Sequence, residues 1–98
     1  MAAYVISEIS QILEPALFEE YRSLAQATIE QYGGRYVVRG GAIEAVEGRS
    51  LPKRIVIVEF PMMERAHEWY YSPEYAQALA IRQKAMNRRL ILVEGVPN

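Results

Sequence analysis

Three groups of side chains in this sequence have types and spacings suited to chemistry. Arg35 and Arg39 lie four apart in a β-prone stretch, so plain alternation puts both on one strand face together with Val37. Glu8 and Glu59 are carboxylates in two other β-prone stretches. If these faces meet in a pocket, Arg39 binds a carboxylate or enolate oxygen while Glu59 accepts a proton, and Arg35 joins Arg39 as a ligand-binding cation. The same side chains can equally pair across strands or face water at strand ends, and such ion pairs are common.

His67 is the chain's one histidine. It is a candidate general base near neutral pH or a haem ligand, or a half-buried packing residue beside Ala66 and Tyr70 on a helix. Trp69, Tyr70, Tyr71 and Tyr75 form an aromatic cluster. One reading is a pocket wall for a small hydrophobic or aromatic ligand, with the hydroxyls of Tyr70 and Tyr75 reaching it. The other is packing of a helix onto a sheet.

Other chemistries are excluded or disfavoured. The absence of cysteine removes disulfides, thiolate catalysis, iron–sulfur clusters and cysteine zinc sites, and suits a reducing cytoplasm. One histidine and scattered carboxylates do not make a metal-ligand cluster, so no metal and no cofactor is expected. Gly33-Gly34 and Gly40-Gly41 lack the spacings of phosphate-binding loops, and no GxSxG nucleophile elbow occurs. With 11 basic and 12 acidic residues there is no positive field to gather nucleic acid. The apolar runs are strand-sized, so no membrane span is expected, and the N-terminus does not read as a signal peptide.

The elements that must position these groups follow from periodicity. Residues 4–9 (YVISEI), 35–40 (RYVVRG), 55–60 (IVIVEF) and 90–93 (LILV) read as strands. Gly40-Gly41 suggests a bulge or bend, with residues 42–46 continuing to pair beyond it. Pro15 opens a helix whose apolar stripe is Leu17, Phe18, Tyr21, Leu24, Ala25, Thr28, Ile29 and Tyr32. Gly33 supplies its left-handed end. After Pro61, Met63, Ala66, His67 and Tyr70 fall at helical spacing, and Ser72-Pro73-Glu74 restarts the helix after a kink at 71–72. Tyr75, Ala76, Leu79, Ala80, Gln83 and Met86 continue on one face. The order β-α-β-β-α-β predicts an α+β, ferredoxin-like domain over residues 1–98, a four-stranded antiparallel sheet with its helices on one face.

The strands are apolar on both alternations: Tyr4 and Ile6 against Val5 and Ile9, Ile55 and Ile57 against Val56, Val58 and Phe60, Leu90 and Leu92 against Ile91 and Val93. The helices can cover only one face. A second copy on the open face, related by two-fold symmetry, predicts a homodimer.

The segments AYVI at 3–6, YGGRY at 32–36, VRGG at 38–41, EFP at 59–61, WYYSPEY at 69–75 and LVEG at 92–95 resemble the family catalogued as domain of unknown function 1330, over nearly the whole chain. That resemblance implies the dimeric α/β-barrel superfamily, in which two ferredoxin-like sheets close around a shared interior. It implies no activity. Superfamily members include cofactor-free monooxygenases, muconolactone-type isomerases and haem-degrading enzymes, and the absence of asparagine from the first strand disfavours haem chemistry. Two functions stay open: a cofactor-free enzyme acting on a small organic molecule, and a non-catalytic dimeric small-molecule-binding or stress-related module.

Overall fold

A computed structural model describes residues 1–97; Asn98, the last residue of the expected domain, lies outside the described residues. The elements are β1 (Ala3–Ile12), α1 (Pro15–Gln31), β2 (Arg35–Arg39), β3 (Arg54–Phe60), α2 (Met63–Tyr70), α3 (Pro73–Ala85) and β4 (Met86–Glu94). The sheet is antiparallel throughout, ordered β2-β3-β1-β4. This is the expected α+β, ferredoxin-like arrangement. No helix among the described residues is long and apolar enough to cross a membrane.

Local chemistry accounts for the element ends. Pro15 occupies the first turn of α1, and the helix stops where Gly33 takes φ +83°, a left-handed conformation that glycine adopts without strain. Gly34 is needed for a different reason: a Cβ there would lie 2.8 Å from Ile29 and from the Phe60 ring. The expected kink at 71–72 is a full break. Ser72 caps α3, its Oγ accepting from the Tyr75 N–H at 3.0 Å, and Pro73 follows at the first helical position.

The helices cover the face carrying Val5, Ser7, Ile9, Val58 and Phe60, which are buried. Phe18, Tyr21, Ala25, Thr28 and Ile29 of α1 meet them, with Trp69 of α2 and Tyr75 and Ala78 of α3. Trp69, Tyr75, Phe60 and Met86 are the largest fully buried side chains.

Three expectations are corrected. Residues 42–46 do not pair: the last link to β3 is the Gly40 N–H to the Ile55 carbonyl at 3.1 Å. Beyond it, Val46 is 85% exposed, so continued pairing would bury nothing. Of the bulge and the bend expected at the glycine pair, the bend is there, with Gly40 at φ +72°, and the bulge lies at Val37, between Tyr36 and Val38. Met86 does not extend the apolar face of α3 but opens β4. The Ala85 carbonyl accepts from the Leu13 and Glu14 N–H groups at 2.8 and 3.3 Å, which ties the chain to the end of β1 and continues it as a strand.

Candidate functional site

Register decides which side chains share a face, because residues directly opposite on neighbouring strands point the same way. On the helix-facing side Tyr36, Val58, Val5 and Leu92 form one row across the sheet, and Arg39, Val56, Ser7 and Leu90 form the next. In a third row Arg54 and Arg88 flank Ile9. Three arginines from three strands thus share with Ser7 the face the helices cover. Arg22 of α1 completes the set from above.

These residues line a cleft between the sheet, α1 and Trp69. Its free volume is about 50 Å³. The void has room for a few waters. Its walls are Val5, Ile9, Phe18, Ile29, Val58 and Trp69, and among the described residues its lining contains no carboxylate and no histidine.

Arg88 is the most constrained cation of the four. Its two terminal nitrogens donate to the hydroxyls of Tyr21 and Tyr75 at 2.8 and 2.9 Å, and those hydroxyls lie 2.5 Å apart. Tyr21 and Tyr75 are buried, at 7% and 0% exposure. Burial pushes the Tyr75 hydroxyl well above the ordinary tyrosine range, so it is protonated at neutral pH. Burial by itself would lower the pKa of Arg88, but its interactions with Tyr21 and Tyr75 outweigh that and the net shift is upward. The site is therefore a charged guanidinium held by two phenol oxygens, with no carboxylate within 4 Å among the described residues.

Counting protons shows what this arrangement lacks. A guanidinium has five N–H donors, and Arg88 directs two of them to the phenol oxygens. The phenols share one hydrogen bond, so one phenolic proton has no acceptor among the described residues. Ser7 Oγ is buried and has no partner. The cleft gathers donors without matching acceptors in an apolar setting, where unpaired polar groups are expensive. An oxyanion entering it meets complementary groups already in place.

Of the rim cations, Arg39 and Arg54 are likewise met by neutral groups, and Arg22 by a carboxylate. Arg39 donates to Gln26 at 2.7 Å and stacks 4.3 Å from the Tyr36 ring centroid. Arg54 lies 5.2 Å from the Phe18 ring. Arg22 pairs with Glu19 at 3.0 Å.

The residues singled out from sequence divide between the two sheet faces. The Val37 bulge adds one residue to β2 and reverses its alternation, so Arg35 and Arg39 do not share a face. Arg39 lines the cleft, whereas Arg35 points to the open side, where its Nε donates to Glu59 at 2.7 Å. Glu59 also accepts from the Tyr4 hydroxyl at 3.0 Å. The Arg35 and Tyr4 hydrogen bonds hold the Glu59 carboxyl below the ordinary glutamate range. Arg39 and Glu59 thus stand on opposite sides of the sheet. Glu8 pairs with Arg89 at 2.7 Å, also on the open side. His67 is exposed on α2. Tyr70 packs against Trp69 and Tyr75, with ring centroids 6.1 and 5.7 Å away. Tyr75 sits at the back of the cleft, behind Arg88. Trp69 Nε1 donates to Thr28 Oγ1 at 3.0 Å, which fixes the indole as a wall. Among the described residues, no three histidine or acidic side chains are gathered as metal ligands would be.

Sequence reading missed Arg88, Arg54, Ser7 and the polar role of Tyr21. A signal for the first two exists: Arg54 alternates with Val56, Val58 and Phe60, and Arg88 with Leu90 and Leu92, all core-facing. An arginine in phase with a buried face is a buried cation in need of a partner.

Comparison with known proteins places these features in context. The family described as Domain of unknown function (DUF1330) matches residues 2–96. No curated protein matches. Among solved structures, a protein of unknown function from Rhodopseudomonas palustris superposes with a TM-score of 0.77 at 19% identity, covering 99% of this chain and 84% of that one. SnoaB, a cofactor-independent oxygenase from Streptomyces nogalater, gives a TM-score of 0.63 at 13% identity, covering 99% and 94%. A dimeric ferredoxin-like protein of unknown function from Thermobifida fusca gives 0.60 at 13% identity, covering 96% and 91%. At these identities the likeness is one of fold.

Proposed function

The chain belongs to the DUF1330 family, and from its cleft we propose that it is a cofactor-free enzyme that binds a small organic molecule by an anionic oxygen on Arg88. The observation that carries this reading is the surplus of donors: the Arg88 N–H groups beyond the two given to the phenols, one phenolic proton of the Tyr21–Tyr75 pair and the Ser7 hydroxyl have no acceptor among the described residues, and Arg88, Tyr21 and Ser7 line one cleft. Such a set stabilises an enolate or phenolate more than the neutral compound, which lowers the barrier to forming it. An enolate held there can be reprotonated at another carbon, which is isomerisation, or can react with dioxygen. The fold shared with the Streptomyces nogalater oxygenase supports keeping oxygenation among the reactions assayed. The apolar walls select for a flat, largely hydrocarbon body.

A second reading is binding without turnover. It is favoured by the absence of a carboxylate or histidine from the cleft lining among the described residues, which leaves water as the proton acceptor. Acetylacetone in deuterated buffer separates the two, with deuterium uptake at its central carbon followed by NMR and binding followed by Trp69 fluorescence. The enzyme reading expects accelerated uptake that Arg88→Met abolishes. Quenching of Trp69 without accelerated uptake supports the binding module. Neither signal would defeat both.

The homodimer belongs to the same proposal. On the open face Val38, Ile57, Ile6 and Ile91 form an apolar row between a row containing Arg35, Glu59 and Tyr4 and one containing Glu8 and Arg89. An apolar centre with a charged rim is the usual anatomy of a protein interface. The dimeric Thermobifida fusca neighbour supports assembly of this kind. Sedimentation as a monomer at micromolar concentration would overturn it.

A further inference from the structure

The cleft contains more positive charge than one anionic oxygen requires. Arg88 sits at one side of it, half-buried, with two phenol oxygens as partners. Arg54 and Arg39 stand toward the opposite side, on β3 and β2, one against the Phe18 ring and the other bonded to the neutral Gln26 amide. None of the three has a carboxylate within 4 Å among the described residues. By contrast, other strand arginines do find acids: Arg35 meets Glu59 and Arg89 meets Glu8, both on the open face. The chain has 12 acidic residues against 11 basic ones, so acids are not scarce; they are absent from this lining. Like charges facing one apolar cleft repel each other, and the repulsion persists unless an anion comes between them.

Register sets the geometry of that anion. Arg54 and Arg88 flank Ile9 on neighbouring strands, so their backbones are roughly 10 Å apart, two strand spacings. Ser7, one row away, lies diagonally between them. Its hydroxyl is 5% exposed, lines the cleft and has no partner.

Building on the oxyanion site at Arg88, we infer that the natural ligand is a dianion: a small aromatic or unsaturated dicarboxylic acid, or a hydroxyaryl carboxylic acid ionised at both groups. One anionic group lies on Arg88 and the Tyr21–Tyr75 pair. The other lies toward Arg54 and Arg39. Ser7 Oγ donates to an oxygen of the ligand between the two. The hydrocarbon body lies against the apolar wall made by Phe18, Ile29 and Trp69.

The test titrates the protein with benzoate and with isophthalate, its 1,3-dicarboxylate relative, following Trp69 fluorescence at low salt. Wild type binds isophthalate about tenfold or more tightly than benzoate, the factor that corresponds to about 1.4 kcal/mol. Arg54→Gln shrinks that ratio below about threefold, as expected for loss of one charge-assisted contact. Raising the salt from about 0.02 to 0.2 M also narrows it. Equal affinities for the two probes in wild type overturn the dianion inference while leaving the Arg88 site standing. So does a ratio that Arg54→Gln leaves intact. Loss of both titrations, or benzoate binding that Arg88→Met does not weaken, removes the Arg88 site and the dianion together. Circular dichroism of Arg54→Gln and Arg88→Met establishes that each variant is folded before its titration is read.

Discussion

Arg88→Met should separate stability from function more sharply than any other substitution. The change removes two hydrogen bonds, at 2.8 and 2.9 Å, from a charged donor to phenol oxygens. Bonds to charged groups contribute about 1.5–3 kcal/mol each, so the loss is about 3–6 kcal/mol. Against it stands the desolvation of a half-buried guanidinium with no carboxylate partner, several kcal/mol that the variant no longer bears. Methionine keeps most of the aliphatic packing, and the Tyr21–Tyr75 hydroxyls remain bonded to each other. The two contributions oppose each other at similar size, so unfolding free energy should change by no more than about 2 kcal/mol in either direction. For a chain of 98 residues that is a Tm within about 10–15 °C of wild type. Binding should respond differently. Losing a buried charged contact costs about 2–5 kcal/mol, or roughly thirtyfold to several thousandfold in benzoate affinity. Calorimetry and Trp69 fluorescence titration at one fixed protein concentration measure both quantities. A Tm drop beyond about 20 °C would mean that Arg88 holds the fold together, and unchanged benzoate affinity would mean that it does not hold the ligand. Either result refutes the reasoning.

Other expectations follow from single contacts. Thr28→Val takes the acceptor from the buried Trp69 Nε1–H and should lower stability by about 1–3 kcal/mol, read by calorimetry; Trp69→Phe in the same background should recover part of the hydrogen-bond loss. Gly34→Ala drives a Cβ to 2.8 Å from Ile29 and Phe60 and should destabilise by about 1–3 kcal/mol in urea unfolding. Because Glu59 is held below its ordinary pKa by Arg35 and Tyr4, the stability it contributes is present above about pH 4.3 and lost as pH falls through the depressed folded value. Glu59→Gln should therefore flatten the acid limb of a stability–pH profile and leave its neutral region with the same slope. Ile57→Asp, in the centre of the apolar row on the open sheet face, should shift sedimentation toward monomer without loss of helical circular dichroism.

Periodicity alone determined the order of strands and helices, the stripe of α1 from Phe18 to Ile29, the Gly33 end of that helix and the Ser72 restart, because each depends on residues within a few positions of one another. The two-sided apolar character of the sheet was legible for the same reason: alternation is a local property. The cleft was not. Arg39, Arg54 and Arg88 come from three strands, and Tyr21 and Tyr75 from two helices, so their meeting depends on register and on how α1 and α3 sit against the sheet. One inserted residue at Val37 was enough to send Arg35 and Arg39 to opposite faces and to part Arg39 from Glu59. Strand alternation has a period of two, so a bulge that changes no residue type still inverts every side chain beyond it. The sequence thus specified which groups the domain had available, and tertiary pairing decided that Arg39, Arg54 and Arg88 face the helices while Glu8 and Glu59 face away with Arg89 and Arg35.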